Sequence, residues 1–301
     1  MHRSAGSVAQ SITAEPVAHR RVPVRTRALR RRAGLGAWAA LRLALALLVA
    51  LPFAWMVLTS LKSSHEAVTW PPDLLPSVWR WSNYAEVWRA GSFGRWLFNS
   101  LAVATAVAIG NVALGGPAAF AFARLRFPGR NLLFFSVLAT LMIPGELTLI
   151  PVFFILSRLG WINTYLALIV PFLVNGYSVF LLRQFFEGIP ESITDAATLD
   201  GAGPVRLFWS VALPMARPAV AVSMFLSFVG TWNSYLYPLV VTRSVQMRTI
   251  TVGLSLFQQE YGSNWVLLMG AATIIAAVPV VAFLIVERHL TDALTVTDQR
   301  G

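Results

Sequence analysis

The sequence predicts an all-α membrane protein of six transmembrane helices. Two observations carry that fold class: the amount and spacing of apolar residues, and the distribution of arginines. Of 301 residues, 56% are hydrophobic and only 12% charged, about half the charged share of a soluble domain. The apolar residues fall in runs near the ~18–20 that a helix needs to cross hydrocarbon. Six runs are expected to span: Leu35 to Ser60, Trp96 to Ala123, Leu132 to Leu156, Thr164 to Leu182, Ala219 to Thr242 and Val266 to Val286. Together they define a transmembrane domain over residues 35–290, preceded by a basic tail (1–34) and followed by a short one (291–301).

The tail holds Arg3, Arg20, Arg21, Arg25, Arg27, Arg30, Arg31 and Arg32 against a single Glu15. Poor in apolar residues, it is expected to be disordered. A basic flank on a membrane helix favours cytosolic retention and contact with anionic lipid, and the tail reads that way rather than as a nucleic-acid arm. The apolar run behind it is too long for a signal peptide. With the amino terminus inside, the short turn "ARLRFPGRN" and the segment after the fourth span are cytosolic, as are both termini. Leu61 to Arg95 then forms an outer loop in which Trp70, Trp79, Trp81, Trp88 and Trp96 sit at headgroup level, with a short amphipathic helix near Tyr84 to Arg89. The outer segment "TRSVQMRTITVGLSLFQQEYGSNW" reads as a polar connector.

Between the fourth and fifth spans lies a cytosolic loop, residues 183–218. In it "PESITDAATLDGAGPVRLFWSVALPMARP" interrupts an apolar chain with acids, small residues and prolines. Pro190 and Glu191 suit a helix start, Gly201 and Gly203 a stop, and Pro204 a second start; Pro214 and Pro218 end that second helix. The first helix presents Ala196, Ala197 and Leu199 between Asp195 and Asp200, a small apolar face with a charged rim that suits a groove on another protein.

Chemistry that this chain lacks is equally legible. There is no cysteine, so no disulfide or thiolate site. Lys62 is the sole lysine and follows "TSL" rather than a glycine-rich loop, so no phosphate-cradling loop is present. The four histidines are scattered, which leaves no metal site and no catalytic centre. Inside the expected spans only Glu146 is clearly ionisable, at the loosened "IPGEL"; it reads as a structural hydrogen bond at a kink or as a polar point on a pathway. Asn175, Tyr177, Trp232, Asn233 and Tyr235 combine amides and aromatic faces suited to a sugar, although polar residues in bundles also bond neighbouring helices.

"DAATLDGAGPVRLFWSVALPMARP" resembles the EAA loop of ABC importer permeases. The matching positions are Asp195, Ala196, Ala197, Asp200, Gly201, Ala202, Phe208, Leu213, Pro214 and Pro218. "TSLKSS", "FGRWLFNSL", "MIPGELTLIPVFFIL", "LGWINTYLALIVP" and "TWNSYLYPLV" are similar to the carbohydrate branch, in particular the maltose-type inner subunit, over about Leu51 to Leu290. The resemblance implies a type I permease bundle in the inner membrane of a prokaryote, importing a sugar or related carbohydrate. Its implied partners are a second permease subunit in a heterodimer, an ABC ATPase dimer that binds ATP and magnesium, and an extracytoplasmic solute-binding protein met by the outer segment. The EAA loop would be the coupling helix, with Asp195, Ala196, Ala197, Leu199, Asp200, Gly201, Ala202, Gly203, Phe208 and Pro214 at the ATPase. This chain departs from the pattern at Asp195, where the family has glutamate, and at its end "LTDALTVTDQRG", which lacks the usual glycine-rich sequence. The alternatives are an ion-coupled carrier of small polar solutes and a structural or channel subunit.

Overall fold

The computed structural model describes residues 24–262 and 264–298, with side chains described for 38–262 and 264–287. The elements are α1 (Val24–Ser60), α2 (Ser82–Arg89), α3 (Phe93–Arg124), α4 (Arg130–Thr140), α5 (Gly145–Arg158), α6 (Tyr165–Ile169, continued by a 3-10 turn to Phe172) and α7 (Gly176–Glu187). These are followed by α8 (Glu191–Leu199), α9 (Pro204–Leu207), a π turn (Phe208–Ala212), α10 (Leu213–Met215), α11 (Arg217–Trp232), α12 (Leu236–Val241), α13 (Ile250–Tyr261) and α14 (Trp265–Asp298). Among the described residues all regular structure is helical.

The chain divides into two units at Pro52. The first carries most of α1, whose backbone is helical from Val24 and so includes residues assigned above to the tail; residues 1–23 of that expected tail lie outside the described part, as do 299–301 of the carboxyl-terminal one. Three helical segments are long and apolar enough to cross a bilayer: Trp38–Ser60, Phe93–Arg124 and Trp265–Glu287.

The middle spans are broken, whereas the sequence suggested a loosened helix only at "IPGEL". The third bends by 98° between α4 and α5, where Pro144 ends one hydrogen-bond ladder and begins another. The fourth bends by 40° between Phe172 and Gly176. The fifth stops at Trp232, after 16 residues that span ~24 Å at ~1.5 Å each, and α12 resumes after Asn233–Tyr235. Counting each bent helix pair as one crossing, the last of them Pro204–Met215 with Arg217–Trp232, gives up to six spans.

Breaks inside a membrane free backbone groups that lipid cannot satisfy, and buried asparagines on α3 satisfy them here. Asn111, fully buried, donates its Nδ2 to Phe172 O at 2.8 Å and accepts at Oδ1 from Asn175 N at 3.0 Å, closing the break in the fourth span. Asn99 donates to Gln246 O and Arg248 O and accepts from Tyr165 Oη at 2.6 Å. α3 packs along both α11 and α7, so these clamps anchor the central helix pair.

Two outer elements differ from expectation. Trp70 and Trp81 are exposed as anticipated, but Trp96 is 3% exposed and donates Nε1 to Val245 O at 2.7 Å. The outer segment is not a plain polar connector: α13 within it buries Ile250, Val252, Gly253 and Phe257 against α3 and α14. Within the loop, Glu66 is bound by Ser77 and by the backbone and hydroxyl of Ser63. These bonds, led by the Ser77 hydroxyl, lower its carboxyl to about 2. Their contribution holds above the ordinary carboxylate range and disappears as pH falls toward that value.

Candidate functional site

Two sites follow from these elements: the knuckle at residues 190–218 and a pair of cavities where the spans are broken. In the knuckle, Pro190 (φ −57°) sets the entry to α8 and Glu191 occupies its first turn. The helix ends in a Schellman motif: Ala202 N bonds Ala197 O at 2.9 Å and Gly201 N bonds Thr198 O at 3.0 Å. Gly201 supplies the left-handed residue the motif needs, at φ +80°. Pro204 then starts α9, and the chain passes through the π turn and α10 before bending by 81° into α11.

The knuckle has two faces. Outward, Leu199 is 89% exposed and Val205 73%, joined by Trp209 and Met215. So much bare apolar surface on one small element marks an interaction site. Inward, Phe208 is 4% exposed and Ala212 and Ala216 are fully buried. The Phe208 ring lies 5.5 Å from that of Phe120 on α3 and 6.0 Å from that of Phe186 on α7, and these two are 5.7 Å apart. Such edge-on and tilted aromatic contacts give a wedge of defined geometry.

Of the residues assigned to the loop's outer surface, Asp195, Ala196, Leu199, Asp200, Gly201 and Gly203 are exposed, and Ala197, Ala202 and Pro214 half-buried. Phe208 is the exception: it is buried, its ring packed against α3 and α7. Asp195 lines a polar cleft of about 640 Å3 shared with Arg126 and Arg130 of the α3–α4 turn.

Sequence reasoning missed Arg124. Its Nε donates to Phe186 O at 2.9 Å, and its Nη2 donates to Glu187 O at 3.3 Å and to Ile189 O. A cation thus caps the negative end of α7 just ahead of the knuckle. Beside it, Arg183 pairs with Glu187 at 2.6 Å and lies 4.0 Å over the Phe134 ring. A basic residue at the end of an apolar run was the available signal for Arg124; its partners come from another helix, so the signal was incomplete.

The six pathway candidates part company. Asn175 and Tyr177 line a cavity of about 300 Å3 bounded by α3, α7, α11 and α12. Glu146, in the first turn of α5, and Tyr235 line a neighbouring cavity of about 400 Å3, and both cavities share Phe172, Ser234 and Tyr237. Glu146 is exposed at the kink. Trp232 is 1% exposed and stacks on Phe228 at 5.9 Å, so it belongs to the core rather than to a pathway. Asn233 is exposed at the end of α11 and lines neither cavity. Among the described residues, no group of three or more histidines or carboxylates is placed to hold a metal ion.

Residues 111–295 match the family model described as binding-protein-dependent transport system inner membrane component. The chain is 32% identical to the sn-glycerol-3-phosphate transport system permease protein of Yersinia enterocolitica, over 74% of this chain and 83% of that one. It is 33% identical to the diacetylchitobiose uptake system permease protein of Streptomyces coelicolor, over 82% and 83% respectively. Against the arabinooligosaccharides transport system permease protein of Bacillus subtilis the identity is 31%, over 85% and 92%. In fold it is similar to a chain in the crystal structure of a bacterial ABC transporter involved in the import of alginate, with a TM-score of 0.73 at 24% identity, covering 86% of this chain and 97% of that one.

Proposed function

The chain belongs to the family of binding-protein-dependent transport system inner membrane components, and from that premise we propose that it is the membrane-spanning permease subunit of an ATP-driven importer for a sugar or related carbohydrate. Relatives named for a glycerol phosphate ester, an aminosugar disaccharide and arabinose oligomers support a cargo of this chemical kind. The chain is a transport subunit rather than an enzyme and has no nucleotide-binding motif of its own. ATP and magnesium are therefore assigned to a separate ATPase dimer, and the remaining partners are a second permease subunit and an external solute-binding protein. Both termini are placed in the cytosol of a prokaryote, on the inner membrane. An ion-coupled carrier or a purely structural subunit falls away with the family assignment.

The observation that carries this reading is the two-faced knuckle. Leu199, Val205 and Trp209 offer an apolar outer face, and Phe208 locks the inner face into α3 and α7. When the ATPase dimer closes on ATP, a pull on the outer face is delivered to those helices, rocking the bundle between inward-open and outward-open states. Leu199→Asp places a charge in the apolar contact without disturbing the core. In a reconstituted importer it is expected to lower transport-coupled ATP hydrolysis by about tenfold or more, the scale of one interface hot spot. Unchanged coupled hydrolysis in that variant contradicts the assignment of this face.

A further inference from the structure

The joined cavities carry a statement about cargo chemistry that the relatives leave open, since they include carriers of both a phosphate ester and neutral oligosaccharides. We infer, resting on the permease reading above, that this chain supplies its own subsite for an uncharged saccharide ring, in the cavity faced by Tyr177 and Asn175, whose lining offers a phosphorylated polyol no cation.

The first cavity, about 300 Å3, suits a single sugar ring in size. Its wall is mainly apolar and aromatic, with Tyr177 about half exposed and Phe172 packed edge-on against Tyr237 at 4.7 Å between centroids. Flat rings of this kind suit the C–H faces of a saccharide. Hydrogen-bonding capacity is left over as well. The hydroxyls of Tyr177, Thr231 and Ser234 bond no other described residue, and Asn175 uses its Oδ1 on Ser178 N at 2.7 Å while its amide nitrogen stays available. Tyr237, by contrast, is committed to Ala167 O at 2.7 Å and serves as wall.

Charge decides the substrate class. Among the described residues no lysine, arginine or histidine lines either cavity, and Glu146 is the sole carboxylate there. A phosphate ester would leave water for an apolar wall with no cation to meet it. A neutral sugar loses only hydroxyl hydration, which the unpaired hydroxyls and the Asn175 amide replace. The absence of cations is a property of this chain's own lining and does not depend on what the external binding protein delivers.

The test bypasses that binding protein. The complex of both permease subunits and the ATPase, in nanodiscs without binding protein, is probed by saturation-transfer NMR with diacetylchitobiose, cellobiose, arabinobiose and sn-glycerol 3-phosphate at equal concentration. At least one neutral disaccharide is expected to give a signal, sn-glycerol 3-phosphate a signal weaker by about tenfold or more, and Tyr177→Ala to reduce the neutral signal at least about fivefold. Because Tyr177 is half exposed, that variant is compatible with the fold; Tyr177→Phe, which keeps the ring, should restore most of the signal. A stronger signal from the phosphate ester, no signal from any neutral probe, or a neutral signal indifferent to Tyr177→Ala overturns the inference. ATP hydrolysis stimulated by binding protein in the same nanodiscs reports separately on the permease reading, so the two can fail independently.

Discussion

Phe208→Ala is expected to uncouple the importer while leaving its outer docking face in place. The ring is 4% exposed and contacts Phe120 and Phe186 at 5.5 Å and 6.0 Å between centroids. Truncation of a buried phenylalanine to alanine costs about 3–5 kcal/mol, through lost transfer energy and the cavity left behind. Here the cavity would open between knuckle and bundle. The variant complex should melt several degrees lower, continue to bind the ATPase through Leu199 and Val205, and hydrolyse ATP with transport reduced at least about tenfold. Phe208→Leu refills most of the space and should recover most of the transport. A Phe208→Ala complex with normal stability and normal transport per ATP would show that the wedge does not transmit the motion.

The second large effect is expected at the outer side, from Gly253→Ala. A Cβ built on Gly253 would lie 2.2 Å from Cε3 and 2.3 Å from Cδ2 of Trp96, well inside any permitted contact. The indole cannot swing aside easily, because it is buried and its Nε1 is bonded to Val245 O at 2.7 Å. Overpacking of this kind costs about 1–3 kcal/mol, and it should loosen α13 from α3. Thermal unfolding of the purified complex measures it directly. Trp96→Leu makes room for the methyl group, so in the double variant the Gly253→Ala substitution should cost clearly less than it does alone. Additive losses would mean that the two residues do not meet as described.

These two residues also show where the sequence was readable and where it was not. The knuckle's punctuation was legible, since Pro190, Gly201 and Pro204 have local backbone preferences that act wherever they are placed, and α8 and α9 begin and end beside them. The inward turn of Phe208 was not: Phe208, Ala212 and Ala216 share one face by their spacing, but that this face meets Phe120 and Phe186 depends on contacts distant in sequence. α13 carried a usable signal: Ile250, Gly253 and Phe257 recur at helical spacing along one face. The polar average of the surrounding segment concealed that stripe. Trp96 was read by residue type, as an interfacial indole, whereas its position at the start of α3 buried it. The broken spans were only half legible. "IPGEL" announced a kink, but its full 98° and the service of Asn111 to the break at Phe172–Asn175 depend on contacts between distant parts of the chain.

The pathway candidates illustrate the same limit. Amide and aromatic side chains gathered in "TWNSYLYPLV" are alike on paper, yet α11 turns Trp232 into the core and leaves Asn233 at the helix end, while Tyr235 and Tyr237 beyond it line the cavities. Which face each residue takes is set by where the helix stops, and that boundary is a tertiary result.

The central claim is that the knuckle stands on the cytosolic side and is gripped there by a separate ATPase. Because the chain contains no cysteine, Leu199→Cys creates a single thiol at its most exposed outer position, 89% accessible. Labelling with a membrane-impermeant maleimide should succeed in inside-out vesicles, fail in sealed right-side-out ones, and be blocked once the ATPase is assembled. Labelling from the external face, or labelling that the assembled ATPase leaves unchanged, would contradict the account.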